Sequence, residues 1–126
     1  MTTNIDQIYK AAYACLKAGK YADSLRMFDD AISMDPANSK GLHSEIWNFQ
    51  ARALLASGRL VEAVEIATKA VSADPRVPEF RATLADSLMA NGENQSAKSH
   101  YEEALASIVP GEPLVAQIEE ALGRIG

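Results

Sequence analysis

One cysteine, Cys15, stands in a chain of 126 residues. A single thiol can form no intramolecular disulfide and no thiolate metal cluster. Cys15 falls at an apolar position of a helical pattern and reads as a small buried side chain rather than a reactive thiol. No run of about 20 apolar residues is present, the length needed to span a bilayer. No basic, then apolar, then small-residue segment opens the chain, because Asp6, Lys10 and Lys17 interrupt it. A cytoplasmic protein without membrane insertion is expected. Basic residues are also in short supply: 12 Lys and Arg stand against 17 Asp and Glu, a net charge of −5. That field repels phosphate backbones, so a nucleic acid or an anionic membrane is not the expected partner.

Catalytic signatures are equally scarce. The sequence contains no glycine-rich phosphate loop, no HExxH and no nucleophile elbow, so no cofactor, metal site or enzymatic activity is expected. His43 and His100 lie far apart and are both expected at the surface. The acidic pairs Asp29-Asp30, Glu102-Glu103 and Glu119-Glu120 are adjacent in sequence, so on helices their members point apart and read as solvated faces.

What remains is a globular composition, 48% hydrophobic and 23% charged. At this length a chain buries roughly two-thirds of its unfolded surface as one domain. Apolar residues recur at three- and four-residue steps throughout, and no stretch shows the strict alternation of a half-buried strand. Ile8, Ala11, Ala12, Cys15 and Leu16 form the first helical stripe, after a start at Thr3-Asn4-Ile5-Asp6 with a side-chain cap. Gly19 breaks it, and Leu25, Phe28, Ala31 and Ile32 follow until Asp35-Pro36. A third helix carries Ile46, Trp47, Ala51, Leu54 and Leu55, Gly58 turns the chain, and a fourth runs from Leu60 to Asp74-Pro75. Glycine supplies the left-handed residue that closes each first helix, and the Asp-Pro step stops each second one. A fifth helix starts at Pro78, where a missing N–H costs nothing, and ends at Asn91-Gly92. The sixth begins with Asn94 as its expected cap, and Pro113 to Ile125 forms a seventh, amphipathic helix.

The punctuation has a period. Gly58 to Gly92 spans 34 residues, whereas Gly19 to Gly58 spans 39, with the five extra residues at about Ser39 to His43. Small residues recur before the glycine (Ala12, Ala51, Ala85) and after it (Ser24, Ala63, Ala97), followed by Phe28, Ala67 and Tyr101. Ala31, Ala70 and Ala104 come next, and Pro36 and Pro75 close their units. A helix–turn–helix unit of this length with these residues resembles the tetratricopeptide repeat. Trp47 matches the tryptophan of that family in the middle unit, where it is expected to be buried between neighbours. Arg81 stands at that position in the third unit, and Pro110 falls one residue late.

The resemblance implies an all-α, right-handed α-α superhelix of seven helices. It would be one domain over residues 1–126, with repeats at about 5–38, 44–77 and 78–110 and a capping helix at 113–125. The insertion at about 39–43 would either change the packing of the first two units or lengthen the third helix by over a turn. The family further implies a concave groove lined by the first helix of each pair, holding a peptide or partner-protein segment in a scaffold or adaptor role. Projected onto this chain, the partner-binding residues are Tyr9, Tyr13, Lys17, Asn48, Phe49, Arg52, Leu55, Asp86 and Met89. Aromatic and arginine side chains dominate many interfaces, so Tyr9, Tyr13 and Phe49 are expected to grip apolar groups. Arg52, helped by Lys10 or Lys17, is expected to hold a carboxylate. The subgroup that clamps chaperone tails uses lysine, asparagine and arginine at places occupied here by Tyr9, Tyr13, Phe49, Glu79 and Thr83, so that pattern is absent. The alternative is a structural module that self-associates into a homo-oligomer, seeded by Ile5 and Ile8.

Overall fold

The computed structural model describes residues 4–125. Its helices are α1 (Ile5–Lys17), α2 (Tyr21–Met34), α3 (His43–Ala56), α4 (Leu60–Ala73), α5 (Pro78–Ala90), α6 (Asn94–Ser107) and α7 (Pro113–Ile125). Each of the first six packs as a hairpin with its sequence neighbour, α4 also packs on α5, and α7 lies against α5 and α6. None of these helices is long and apolar enough to cross a membrane.

Local chemistry sets the boundaries. At the start of α1 the Asn4 side chain accepts from the Gln7 amide while the Gln7 side chain accepts from the Asn4 amide, a reciprocal cap. The three hairpin turns share one backbone geometry. Gly19, Gly58 and Gly92 sit at φ 79°, 79° and 84°, where a Cβ would be strained. The amides of Lys20, Arg59 and Glu93 then donate back to Cys15, Leu54 and Leu88 at 2.8, 2.9 and 2.8 Å. This turn overrides side-chain capping at the next helix. Asn94 is the first residue of α6 rather than its cap; Glu93 holds the cap position and makes no side-chain cap bond. Pro78 opens α5 as expected.

The five extra residues form a closed loop, not added helix, for α3 has 14 residues and α1 and α5 have 13. The Asp35 carboxylate accepts from the amides of Ser39 and Lys40 at 2.8 and 2.9 Å, and Asn38 Oδ1 accepts from the amide of His43 at 3.1 Å. The His43 ring donates through Nε2 to the Asp35 carbonyl at 2.7 Å. His43 is therefore buried at 7% exposure, not at the surface, because it satisfies a carbonyl inside the loop. The Lys40 amide, with those of Ser39, holds the Asp35 carboxyl below its usual range.

Small residues let the helices approach. Ala12, Ala51 and Ala85 on the first helices and Ser24, Ala63 and Ala97 on the second are all at 0% exposure. The Ser24 hydroxyl satisfies itself on the Ala12 carbonyl at 2.9 Å. The core divides along α3, which contributes to both parts. Ile5, Ala12, Phe28, Ala31 and Ile46 form the smaller part; the larger runs from Ala51 through Phe80, Leu84 and Tyr101 to Ile118 and Ala121 of α7. Trp47 is only half-buried at the edge of the larger part, with the Lys69 ammonium 4.9 Å from its ring centroid. Cys15 is also half-buried, its thiol 3.9 Å from the Met27 sulfur.

Candidate partner-binding groove

The first helices of the hairpins, α1, α3 and α5, contribute side chains to two adjoining clefts. One, of about 470 Å³, is lined by Tyr13, Leu16, Lys17, Tyr21, Phe49 and Arg52, with Gln117 of α7 facing them. The other, of about 490 Å³, lies between α3 and α5 and takes in Glu45, Asn48, Phe49, Arg52, Glu79 and Phe80. Phe49 and Arg52 belong to both and form the divide.

Four aromatic rings hold that divide in place. Phe49 stacks on the fully buried Phe28 with centroids 5.9 Å apart and planes 18° apart. Tyr13 meets Phe49 edge-on at 5.1 Å, and Tyr9 meets Phe28 and Phe49 at 6.0 and 6.2 Å. Each such pair contributes about 0.5–1.5 kcal/mol beyond the area it buries, so Phe49 has little freedom to move. Burial pushes the Tyr9 phenol well above its usual value, and the Glu45 carboxylate beside it adds to the effect. Tyr9 is thus a packing residue behind the groove, while Tyr13 remains 39% exposed on its rim. Lys17 extends over the Tyr13 ring, with Nζ 5.9 Å from the centroid.

The remaining projected residues divide by burial. Arg52 is half-buried and makes no ion pair among the described residues, so its guanidinium is available to a ligand. Asp86 is not available in that way, because its carboxylate accepts the Tyr101 hydroxyl beneath the groove. Burial raises the Asp86 carboxyl despite that bond and the field of Arg52, and burial likewise raises the Tyr101 phenol, with Asp86 next in effect. Met89 packs against the larger core, and Leu55 is half-buried; neither lines the two clefts.

Asn48 differs from all of these. It lies on the α3–α5 cleft, is 5% exposed, and its Oδ1 is buried without a hydrogen-bond partner. Leaving a buried acceptor unpaired costs about 1–3 kcal/mol, which few buried polar groups bear without a reason.

Sequence reasoning missed several lining residues. Glu45, Asn48 and Arg52 are spaced by three and four residues, so periodicity alone places Glu45 on the groove face. Glu79, which with Thr83 occupies a place of the chaperone-tail clamp, lines the same cleft. Gln117 had no comparable signal, because its position depends on the direction in which α7 docks. His100 was expected at the surface and is instead half-buried, its Nδ1 accepting from Arg81 at 3.2 Å while Arg81 pairs with Glu103 at 2.9 Å. Burial lowers the His100 ring below its usual value, and Arg81 adds to that. It lies outside both clefts. No group of three or more His, Cys, Asp or Glu residues among those described is placed to hold a metal ion.

Two family models, both described as tetratricopeptide repeat, match residues 9–78 and 54–122. The TPR repeat-containing thioredoxin TTL4 of Arabidopsis thaliana is 35% identical over 95 residues, 75% of this chain but 13% of its own length. The type III secretion translocator chaperone SycD of Yersinia enterocolitica, in a structure described as an alternative dimer, superposes with a TM-score of 0.84 at 22% identity. That match covers 99% of this chain and 93% of the other. SycD in complex with a peptide of the translocator YopD gives 0.81 at 22% identity, over 95% and 90% of the two chains. The structural likeness shows the fold, an all-α, right-handed superhelix of paired helices.

Proposed function

The chain belongs to the tetratricopeptide repeat family, and from that premise we propose that it is an interaction module. It holds a peptide or partner-protein segment in the groove of α1, α3 and α5 and acts as a scaffold or adaptor in the cytoplasm, with no catalytic role. The whole of residues 1–126 serves as one unit: repeats at 5–38, 44–77 and 78–110, the loop at 39–43 as an insertion, and 113–125 as the cap. One observation carries the reading. Arg52, unpaired among the described residues, sits beside the rigid ring of Phe49 at the junction of two clefts. A fixed aromatic surface next to an available guanidinium is the composition of an interface hot spot. SycD, in its structure with a YopD peptide, supplies the fold-level analogy.

Within this proposal Tyr13, Lys17, Phe49 and Arg52 contact the partner in one cleft and Asn48 in the other. Tyr9, Leu55, Asp86 and Met89 support them. The test is affinity capture from the source cell with the wild-type chain and with Arg52→Glu. Capture should be lost while circular dichroism shows the variant still folded at the assay temperature; undiminished capture by the variant contradicts an anchor role for Arg52.

Self-association is the second reading, and the exposed Tyr13 on the rim of α1 is the feature that favours it. Ile5 does not, since it is 7% exposed and part of the core. Sedimentation over a range of concentrations separates the two readings: a constant monomer mass argues against assembly.

A further inference from the structure

We propose that the α3–α5 cleft recognises an extended, basic segment: a lysine or arginine beside an apolar residue, its main-chain N–H donated to Asn48. This rests on the groove being a peptide site, and it assigns that site a ligand chemistry.

The argument starts from charge. Glu45, Asp74 and Glu79 line this cleft, and Arg52 at its border with the neighbouring cleft is the cation among the lining residues. None of the three carboxylates makes an ion pair among the described residues. Asp74 is moreover the C-cap of α4, so the partial negative charge of that helix end faces the same space. A cation entering here meets three carboxylates against one guanidinium, with Glu45 shared only with the neutral Tyr9 phenol, so the balance of charge favours a base over an acid. Phe49, Val77 and Phe80 supply an apolar wall for a neighbouring side chain or for the methylenes of the lysine itself.

The orphaned amide then sets the conformation. Asn48 Oδ1 lacks a donor where it lies buried, and turning the amide about its last bond brings it to the cleft side, where a ligand N–H supplies one. An extended chain carries free main-chain N–H and C=O groups that match both ends of a carboxamide. A helical ligand has already used its N–H groups internally beyond the first turn. The cleft volume of about 490 Å³ lies within the range of about 300–1,000 Å³ usual for ligand sites.

The test uses the full chain and synthetic octapeptides, acetylated and amidated at their ends, in a positional-scanning array. Binding should enrich lysine or arginine over aspartate or glutamate at one position. With the tightest peptide in fluorescence polarisation, replacing its lysine by norleucine should weaken binding about fivefold, the scale of two partly exposed ion pairs. A Glu45→Gln, Glu79→Gln double variant should lose a similar factor, and the two losses should not multiply, because both remove the same interaction. Both glutamates are exposed but are the first-turn acids of α3 and α5, so the variant is assayed well below its own melting midpoint, with its fold checked by circular dichroism. Asn48→Leu should weaken binding about tenfold without lowering the melting temperature. Peptides that bind with no preference for a base, or with multiplying losses, overturn this inference and leave the groove as a peptide site. An array in which no peptide binds overturns both.

Discussion

Asn48→Leu separates stability from function in this protein. Leucine keeps the branching of asparagine while replacing both polar atoms with methyl groups. Asn48 is 5% exposed and its Oδ1 unpartnered, so the substitution removes a desolvation penalty of about 1–3 kcal/mol. The better helix propensity of leucine in α3 contributes at most about 0.5 kcal/mol. With an unfolding entropy of about 2.1 cal/mol/K per residue over 126 residues, a gain of 1–3 kcal/mol raises the melting temperature by roughly 4–11 °C. Urea unfolding followed by circular dichroism is the assay, with the midpoint shifting upward at unchanged slope. The same variant should bind peptide more weakly, so stability rises as function falls. A gain no larger than helix propensity alone, or a loss of stability at unchanged slope, would refute the argument by showing that Oδ1 is satisfied in solution.

Other substitutions probe the layer beneath the groove. Tyr101→Phe deprives the Asp86 carboxylate of its donor and should cost about 1–3 kcal/mol in urea unfolding. It should also raise the Asp86 carboxyl further, since that hydrogen bond lowers it; an NMR titration showing no rise contradicts the pairing. Deleting residues 113–126 removes Ile118 and Ala121 from the larger core and should expose an apolar stripe on α5 and α6. Sedimentation should then show aggregation; a truncated chain that stays monomeric with unchanged melting rules out the capping role of α7. His100 has a folded value below its ordinary 6.5, so the folded state binds its proton less readily than the unfolded one. Its contribution is fully present above pH 6.5 and lost as pH falls through the folded value. Stability should thus drop as pH falls below 6.5, and drop less in His100→Gln, as read from urea midpoints.

The helices were legible because their signals are local. Gly19, Gly58 and Gly92 mark turns by their backbone freedom, and Asp35-Pro36 and Asp74-Pro75 mark ends by sterics, whatever the rest of the chain does. What failed to show was anything that depends on closure in space. His43 looks like a surface residue in a polar loop until the Asp35 carbonyl folds onto its ring. Asn94 has the chemistry of a cap, but the turn after Gly92 places Glu93 in that position. Within the groove, periodicity reported which face a residue occupies and not its depth. Tyr9 and Tyr13 share a face of α1, yet Tyr9 lies against Phe28 and Phe49 while Tyr13 reaches solvent. Asp86 shares the face with its register equivalent Arg52, but Tyr101 from the next helix claims its carboxylate.

The most direct test of the groove is the amide spectrum of the ¹⁵N-labelled chain titrated with a peptide selected against it from a displayed library. Shifts should concentrate on Tyr13, Lys17, Asn48, Phe49 and Arg52, with the Asn48 side-chain amide moving, and α2 and α4 should stay still. Shifts confined to α2 and α4, or broadening that follows protein concentration without peptide, would contradict a partner-binding groove on α1, α3 and α5.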